Sequence, residues 1–217
     1  MAAANVKEND FVSFSSGGKT VFIDVSDGSF SNAKSSASAC LSRLRDTDVD
    51  ILVFTHLHSK HISYFGRFTK LYHVGAVVLP DDGQGGVCDV ISAEAGRNGI
   101  SVVKYDPDAG GLFRAGAVTL EIFPSQSVRN RAHGTIAFEI SSSQSSAFIS
   151  RTAITRVPVQ SDRVFVLSHG GTEPETSAVP ESWVAMNRET AESAGIAVTV
   201  NDRRTLGVYL FRISAEK

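Results

Sequence analysis

The chain has 217 residues, 42% of them hydrophobic, enough to bury one good core or two small ones. Lys plus Arg number 21 and Asp plus Glu 23, a formal charge of −2 that excludes the footprint of a strongly basic nucleic-acid binder but leaves room for a local basic cleft. No apolar run approaches the roughly 18 residues that cross a bilayer, and Met1–Ala4 is too short for a signal peptide.

Taken in chain order, Asn5–Ser15 reads as a strand, Ser16-Gly17-Gly18-Lys19 as a turn and Thr20–Val25 as the returning strand of a β-hairpin. Ser26–Ser31 is a Ser/Gly/Asp loop. The spacing of Ala37, Cys40, Leu41 and Leu44 predicts a helix over Ala33–Arg45. Asp46–Asp50 leads into an apolar, β-branched run, Ile51–Phe54, so a β-α-β unit with parallel neighbouring strands is expected. Cys40 and Cys88 both fall in predicted helices; the two form neither a C-x-x-C pair nor a disulfide framework and read as idle or buried thiols, with one disulfide as the alternative.

The stretch that follows the run carries the chemistry. Of six histidines in the chain, three fall in one six-residue window just after it: His56, His58 and His61. Two residues apart on an extended chain, His56 and His58 point the same way, and His61 follows as the chain turns toward a helix. A strand end is a rigid mount, and imidazole is a common ligand for borderline metals. The pattern points to a present or ancestral metal site.

Beyond it, Ile62–Leu71 is predicted as an amphipathic helix, Gly75–Pro80 as a buried strand, Val87–Asn98 as a helix capped by Gly99, and Ile100–Tyr105 as a strand. His73 stands alone between helix and strand. From Gly110 the pattern becomes antiparallel β, with strands expected at Leu112–Ala115, Ala117–Phe123, Thr135–Ser141 and Ser146–Thr152. Arg163–Leu167 is a further buried strand ending in Ser168-His169-Gly170-Gly171, the same strand-then-histidine layout as the first site. Ser182–Ala194 reads as mixed or helical, and Ile196–Val200 with Gly207–Ile213 as a closing pair of strands. No repeat of solenoid length is present.

T-H-x-H-x-x-H after a hydrophobic strand resembles the H-x-H-x-D-H motif of metallo-β-lactamase-fold hydrolases. The flanking ILVFTHLHSKHISYFGRF and GAVVLP narrow the likeness to the hydrolase domain of ComEC-type DNA-uptake (competence) proteins. The opening agrees in part: Val6, Asp10 and Asp24 match that family's first two motifs, whose glycines are absent here. The resemblance covers nearly the whole chain. It implies a single α/β domain over residues 1–217, an αββα four-layer sandwich with two sheets face to face and helices outside. It also implies an extracytoplasmic domain of a bacterial membrane protein, so the native partners would include a membrane-embedded segment of the same protein.

By the same resemblance, one metal would sit on His56 and His58, with His133 as third ligand; a solvated loop histidine is the alternative reading of His133. The second metal would use His61 and His169, the latter in the counterpart of the family's "HHGS". Both of its aspartates, however, are replaced by bases. Lys60 stands at the motif aspartate, and Arg151 stands where "TGD" is expected. Two carboxylates exchanged for two cations change the local charge by about +4. At about 4 Å and an effective dielectric near 20, each contact between like unit charges costs about 4 kcal/mol. The expectation is therefore one ion at most, zinc or manganese, or none, and hydrolysis lost or reduced because no bridging hydroxide of lowered pKa forms. Pro180–Gly195 also lacks the family's N-x-x-x-H-P segment. Lys60 and Arg151 either turn into water or form an anion pocket for single-stranded DNA or another phosphate-containing ligand. A mononuclear phosphodiesterase and a non-catalytic interaction module are the competing readings. Asp24 reads as a strand-end carboxylate that bonds loop amides, or else as a catalytic group.

Overall fold

The computed structural model describes residues 2–6, 9–25, 37–38, 41, 48–55, 57, 62, 64–81, 86–124, 137–142, 146–150, 163–166, 183–185, 198–199 and 208–210. They form two seven-stranded sheets. The first contains β1 (Ala2–Val6), β2 (Asn9–Ser16), β3 (Lys19–Ile23), β4 (Asp48–Val53), β5 (His73–Pro80), β6 (Ser101–Tyr105) and β14 (Val208–Leu210), in the order β14-β1-β2-β3-β4-β5-β6. The second contains β7 (Gly111–Ala115), β8 (Val118–Ile122), β9 (Ala137–Ser141), β10 (Ser146–Ser150), β11 (Arg163–Val166), β12 (Trp183–Ala185) and β13 (Val198–Thr199), running in sequence order from one edge to the other.

Each sheet is half antiparallel and half parallel. β14, β1, β2 and β3 pair antiparallel, and β3 to β6 pair parallel. β7 to β10 pair antiparallel, and β10 to β13 parallel. The expected initial hairpin is present, with Ser16 opposite Lys19, and so is the parallel β3–β4 neighbour pair, with Val21 opposite Ile51.

Alternation along the strands builds two cores. Val12, Phe14, Val21, Ile23, Ile51, Val53, Val78 and Tyr105 of the first sheet pack on Val118, Leu120, Ile122, Phe138 and Ile140 of the second, filling the space between the sheets. The other face of the first sheet, with Phe22, Leu52, Phe54, Val77 and Leu79, packs on α1 (Phe65–Leu71) and α2 (Val87–Arg97) through Phe65, Phe68, Cys88, Ile91 and Ala95. Ala37 and Leu41 join this layer from a helical stretch, and the Ser38 and Tyr72 hydroxyls hydrogen-bond each other. The middle strands are therefore buried on both faces, which is why they read as unbroken apolar runs rather than alternating ones. α2 ends as expected at Gly99, whose φ of +70° lets Ile100 N–H reach the Ala95 carbonyl at 2.9 Å and Gly99 N–H the Gly96 carbonyl at 3.1 Å.

Several expected boundaries are corrected. Asn5–Ser15 is two strands, β1 and β2, folded back with Val6 opposite Asn9; its turn lacks the Gly or Pro that would have betrayed it. α1 begins at Phe65 rather than Ile62, and His73 opens β5 instead of standing in a connection. Within Ser182–Ala194, Trp183–Ala185 is a strand. The last two strands do not pair with each other: β13 pairs with β12 in one sheet and β14 with β1 in the other. Cys40 lies outside the described residues, while Cys88 is buried and free.

Candidate functional site at the carboxyl ends of the strands

The first sheet ends in a lock between two adjacent parallel strands. After β3, Asp24 turns out of the ladder with a φ of +56°, a conformation that Asp tolerates better than most side chains. Its N–H still completes the β3–β4 ladder, donating to the Val53 carbonyl at 2.8 Å. Its carboxylate then takes both donors of Thr55, the N–H on Oδ1 at 2.9 Å and the hydroxyl on Oδ2 at 2.6 Å. Asp24 and Thr55 are both fully buried. Of the two readings of Asp24, the strand-end carboxylate that bonds loop amides is the one the geometry bears out. It fixes the direction in which the chain leaves β4 toward His56.

The chain is pinned again just beyond. Leu57 and Ile62 pack against the helix-side core. Phe65 stands edge-on to Phe54 with ring centroids 5.6 Å apart, and Phe68 meets Phe22 at 5.3 Å. Such contacts add about 0.5–1.5 kcal/mol per pair beyond area burial. The described residues Thr55, Leu57, Ile62 and Phe65 thus stand on either side of the three histidines in the sequence, and supports next to ligand positions are what set ligand geometry in a metal site.

His56, His58, Lys60, His61, His133, Arg151 and His169 lie outside the described residues. The strand ends that lead to them are described, and the topology gathers them at one end of the sandwich. At that end Tyr105, closing β6, packs on Phe113 of β7 with ring centroids 6.3 Å apart, and Gly110 approaches the Ile122 carbonyl that closes β8. At the other end Gly116, after β7, lies against Lys19, which opens β3. β8 therefore finishes at the Thr55 end. Antiparallel pairing makes β9 start there, with Ile122 opposite Phe138, and β10 finish there, with Ser150 opposite Ala137. β11, parallel to β10 with Val166 opposite Ser150, finishes there too. The chain reaches β9 a few residues after His133, leaves β10 into Arg151 and leaves β11 toward His169. Parallel strands presenting their carboxyl ends together form the crevice where α/β sheets place sites.

The polar groups beside this end are held by burial. The Tyr64 hydroxyl is pushed up to about 12, first by burial and then by Tyr72, with Arg67 opposing. Burial, then the charge of Asp24, raises Tyr105, which is 5% exposed. Among the described residues no three His, Cys, Asp or Glu side chains gather as a metal site. The opposite end carries a cleft of about 430 Å³ lined in part by Val78, Val103 and the Lys19–Asp50 ion pair, whose N···O distance is 2.6 Å. Neither Thr55 nor Tyr105 was given a role from sequence: Thr55 entered only as the first residue of T-H-x-H-x-x-H, and Tyr105 only as the end of a predicted strand.

No family model matches the sequence, and no curated protein matches it. Solved structures do. Zn(2+)-bound PqqB from Methylobacterium extorquens matches with a TM-score of 0.50 and 11% identity, over 72% of this chain and 56% of that one. CmlA, a diiron β-hydroxylase from Streptomyces venezuelae, matches with a TM-score of 0.50 and 16% identity, over 76% of this chain and 34% of that one. A metallo-β-lactamase from Cronobacter sakazakii, a HARLDQ motif mutant, matches at 0.46 and 13% identity, over 71% of this chain and 62% of that one. This chain thus spans less than two thirds of the length of each. At these identities the likeness concerns fold alone: the chain has the metallo-β-lactamase fold, an α/β sandwich.

Proposed function

We propose that this chain is a metallo-β-lactamase-fold domain of the ComEC-type competence class whose two-metal centre is degenerate. In this reading the mouth of the sandwich binds an anionic ligand, single-stranded DNA or another phosphate-containing molecule, with metal-dependent nuclease activity lost or reduced. The observation that carries it is Lys60 within T-H-x-H-x-K-H, at the place where the resembling motif has its aspartate ligand. Arg151, directly after β10, repeats the change of sign. A divalent cation takes carboxylate, neutral imidazole or thiolate ligands, and ammonium and guanidinium groups have no lone pair to offer it. The donor set does not fit two metals. His56, His58 and His133 fit one, zinc or manganese, and His61 and His169 would then stand as neutral donors beside Lys60 and Arg151. The Asp24–Thr55 lock supports the reading, since it holds the residue that directly precedes His56 in the chain.

A mononuclear hydrolase is the second reading, favoured by the survival of all five histidines of the implied ligand set. Elemental analysis of the purified protein, with and without added zinc and manganese, separates the two. No bound metal, together with phosphate binding that Lys60→Ala or Arg151→Ala abolishes, is the expected result. About one equivalent of metal, lost in the His56→Ala/His58→Ala variant and supporting phosphodiester hydrolysis, overturns it in favour of the mononuclear hydrolase. Weakening of DNA binding by salt would count the phosphates neutralised. No helix among the described residues is long and apolar enough to cross a membrane; an extracytoplasmic place beside a membrane-embedded segment is part of the proposal and rests on the ComEC likeness.

A further inference from the structure

The second sheet stops short of covering the first. Val78 and Tyr105 face the core between the sheets and are buried. Ala76 and Val103, two residues earlier on β5 and β6, share that face, yet Val103 is 39% exposed. Together with Ile51 and Val78 they floor the cleft of about 430 Å³, and β7, the edge strand of the second sheet, forms its wall from Leu112 to Ala115. No residue of β8 lines it. The cleft therefore lies on the side of β7 that pairs with no strand among the described residues.

To that side β7 offers its backbone. The two-residue turn Gly116-Ala117, with Gly116 at a φ of +58°, makes Ala115 and Val118 the bonded pair that closes the β7–β8 hairpin. Bonding alternates from there, so Gly111, Phe113 and Ala115 bond to β8, while the N–H and C=O groups of Leu112 and Arg114 point to the cleft side. A row of unpaired backbone groups beside an exposed apolar floor is a template for an added strand. The charge at the cleft has one sign. Lys19 and Asp50 neutralise each other at 2.6 Å, and Arg114 is exposed with no ion-pair partner among the described residues.

We infer that β7 is a docking edge for an extended acidic peptide segment of a partner protein. The segment lies along β7 and continues the second sheet, exchanging backbone hydrogen bonds with Leu112 and Arg114. Its inward side chains are apolar and cover Ala76, Val78 and Val103. Its outward side chains are acidic, and one of them stands opposite Arg114 as a cross-strand pair. A second copy of this chain would bring the same arginine to the same edge, so charge favours the acidic partner. The docking edge is independent of the chemistry at the Thr55 end.

The test is amide hydrogen exchange of the whole protein, read by NMR, with a blocked seven-residue peptide in which valine alternates with glutamate. Leu112 and Arg114 N–H are the reporters, and Phe113 N–H reports on the β7–β8 ladder. In the free protein Leu112 and Arg114 exchange fast. With peptide at ten times its Kd, exchange through the free form slows about tenfold at both, while Phe113 keeps its rate. Arg114→Glu weakens this peptide about fivefold and favours the same peptide with lysine for glutamate. Leu112→Pro removes a donor that β8 does not use, so it abolishes binding and leaves Phe113 protected. Reporters already protected in the free monomer overturn the proposal, because the chain then covers its own edge. Reporters protected only as the protein dimerises overturn it in favour of a second copy. No protection by the peptide, or equal protection by the glutamate and lysine peptides, overturns it as well.

Discussion

Replacing Asp24 by Ala removes both acceptors of Thr55 while leaving its N–H and hydroxyl buried. Each such orphaned donor costs about 1–3 kcal/mol. The backbone adds a second charge: at a φ of +56° an alanine is strained by about 1–2 kcal/mol. The sum is about 3–8 kcal/mol, a large part of the roughly 5–15 kcal/mol that holds a domain folded. Asp24→Gly removes the strain and keeps the lost bonds, so it should cost about 1 kcal/mol less than alanine. Asp24→Asn tolerates the left-handed backbone and can still accept from Thr55 N–H, and should cost about 1–2 kcal/mol. Urea unfolding followed by circular dichroism reads all three as midpoint shifts at constant slope. The order asparagine, glycine, alanine is the expected signature. An alanine variant within 1 kcal/mol of the parent, or one equal to asparagine, would refute the reasoning, because it would mean that neither the bonds nor the backbone conformation matters.

Other expectations concern alkali, a tight turn and the thiol. Tyr64 and Tyr105 hold their protons more tightly in the folded chain than tyrosine does in water. Above about pH 10 the unfolded chain therefore binds fewer protons than the folded one, and stability falls as pH rises. For Tyr64 the fall continues to about 12; thermal unfolding across this range should show it, and Tyr105→Phe should make the slope shallower. Gly110 has a φ of +75°, and a Cβ there would stand 2.3 Å from the Ile122 carbonyl oxygen. Gly110→Ala should cost at least about 2 kcal/mol, from overpacking and strain together, and an unfolding midpoint equal to the parent's would contradict this. Burial raises the Cys88 thiol above its ordinary range, with Lys104 opposing. Alkylation at Cys88 near pH 8, read by peptide mass, should be much slower in the folded protein than in urea.

The first half of the fold was legible because its signals are local. Ile51–Phe54 is too short and too apolar to be anything but a buried strand, Ser16-Gly17-Gly18-Lys19 announces a turn, and Gly99 ends a helix. What escaped depends on partners far along the chain. Nothing in Val198–Thr199 or Val208–Leu210 says that these short strands join opposite sheets, since pairing across such distances is decided by the closed sandwich and not by local propensity. The same holds at the site. The histidines were visible as a cluster, and Asp24 as a strand-end carboxylate. Thr55 as its partner was not, because the bond exists only once β3 and β4 lie side by side. Sequence alone also gave no view of the register that carries the ends of β10 and β11 to the Thr55 end.

The pairing of β14 with β1 bears on how the chain acquires its structure. Ala2 lies opposite Leu210, so the first sheet receives its outermost strand from residues synthesised just over two hundred positions after the sheet began. Contacts so distant in sequence form slowly, because a long loop must close before they contribute. Until Val208–Leu210 arrives, β1 presents an unpaired rim of N–H and C=O groups to whatever strand is nearby. A chain cut short before Val208 should therefore keep the β3–β6 half of the sheet and the Asp24–Thr55 lock, and yet self-associate through β1.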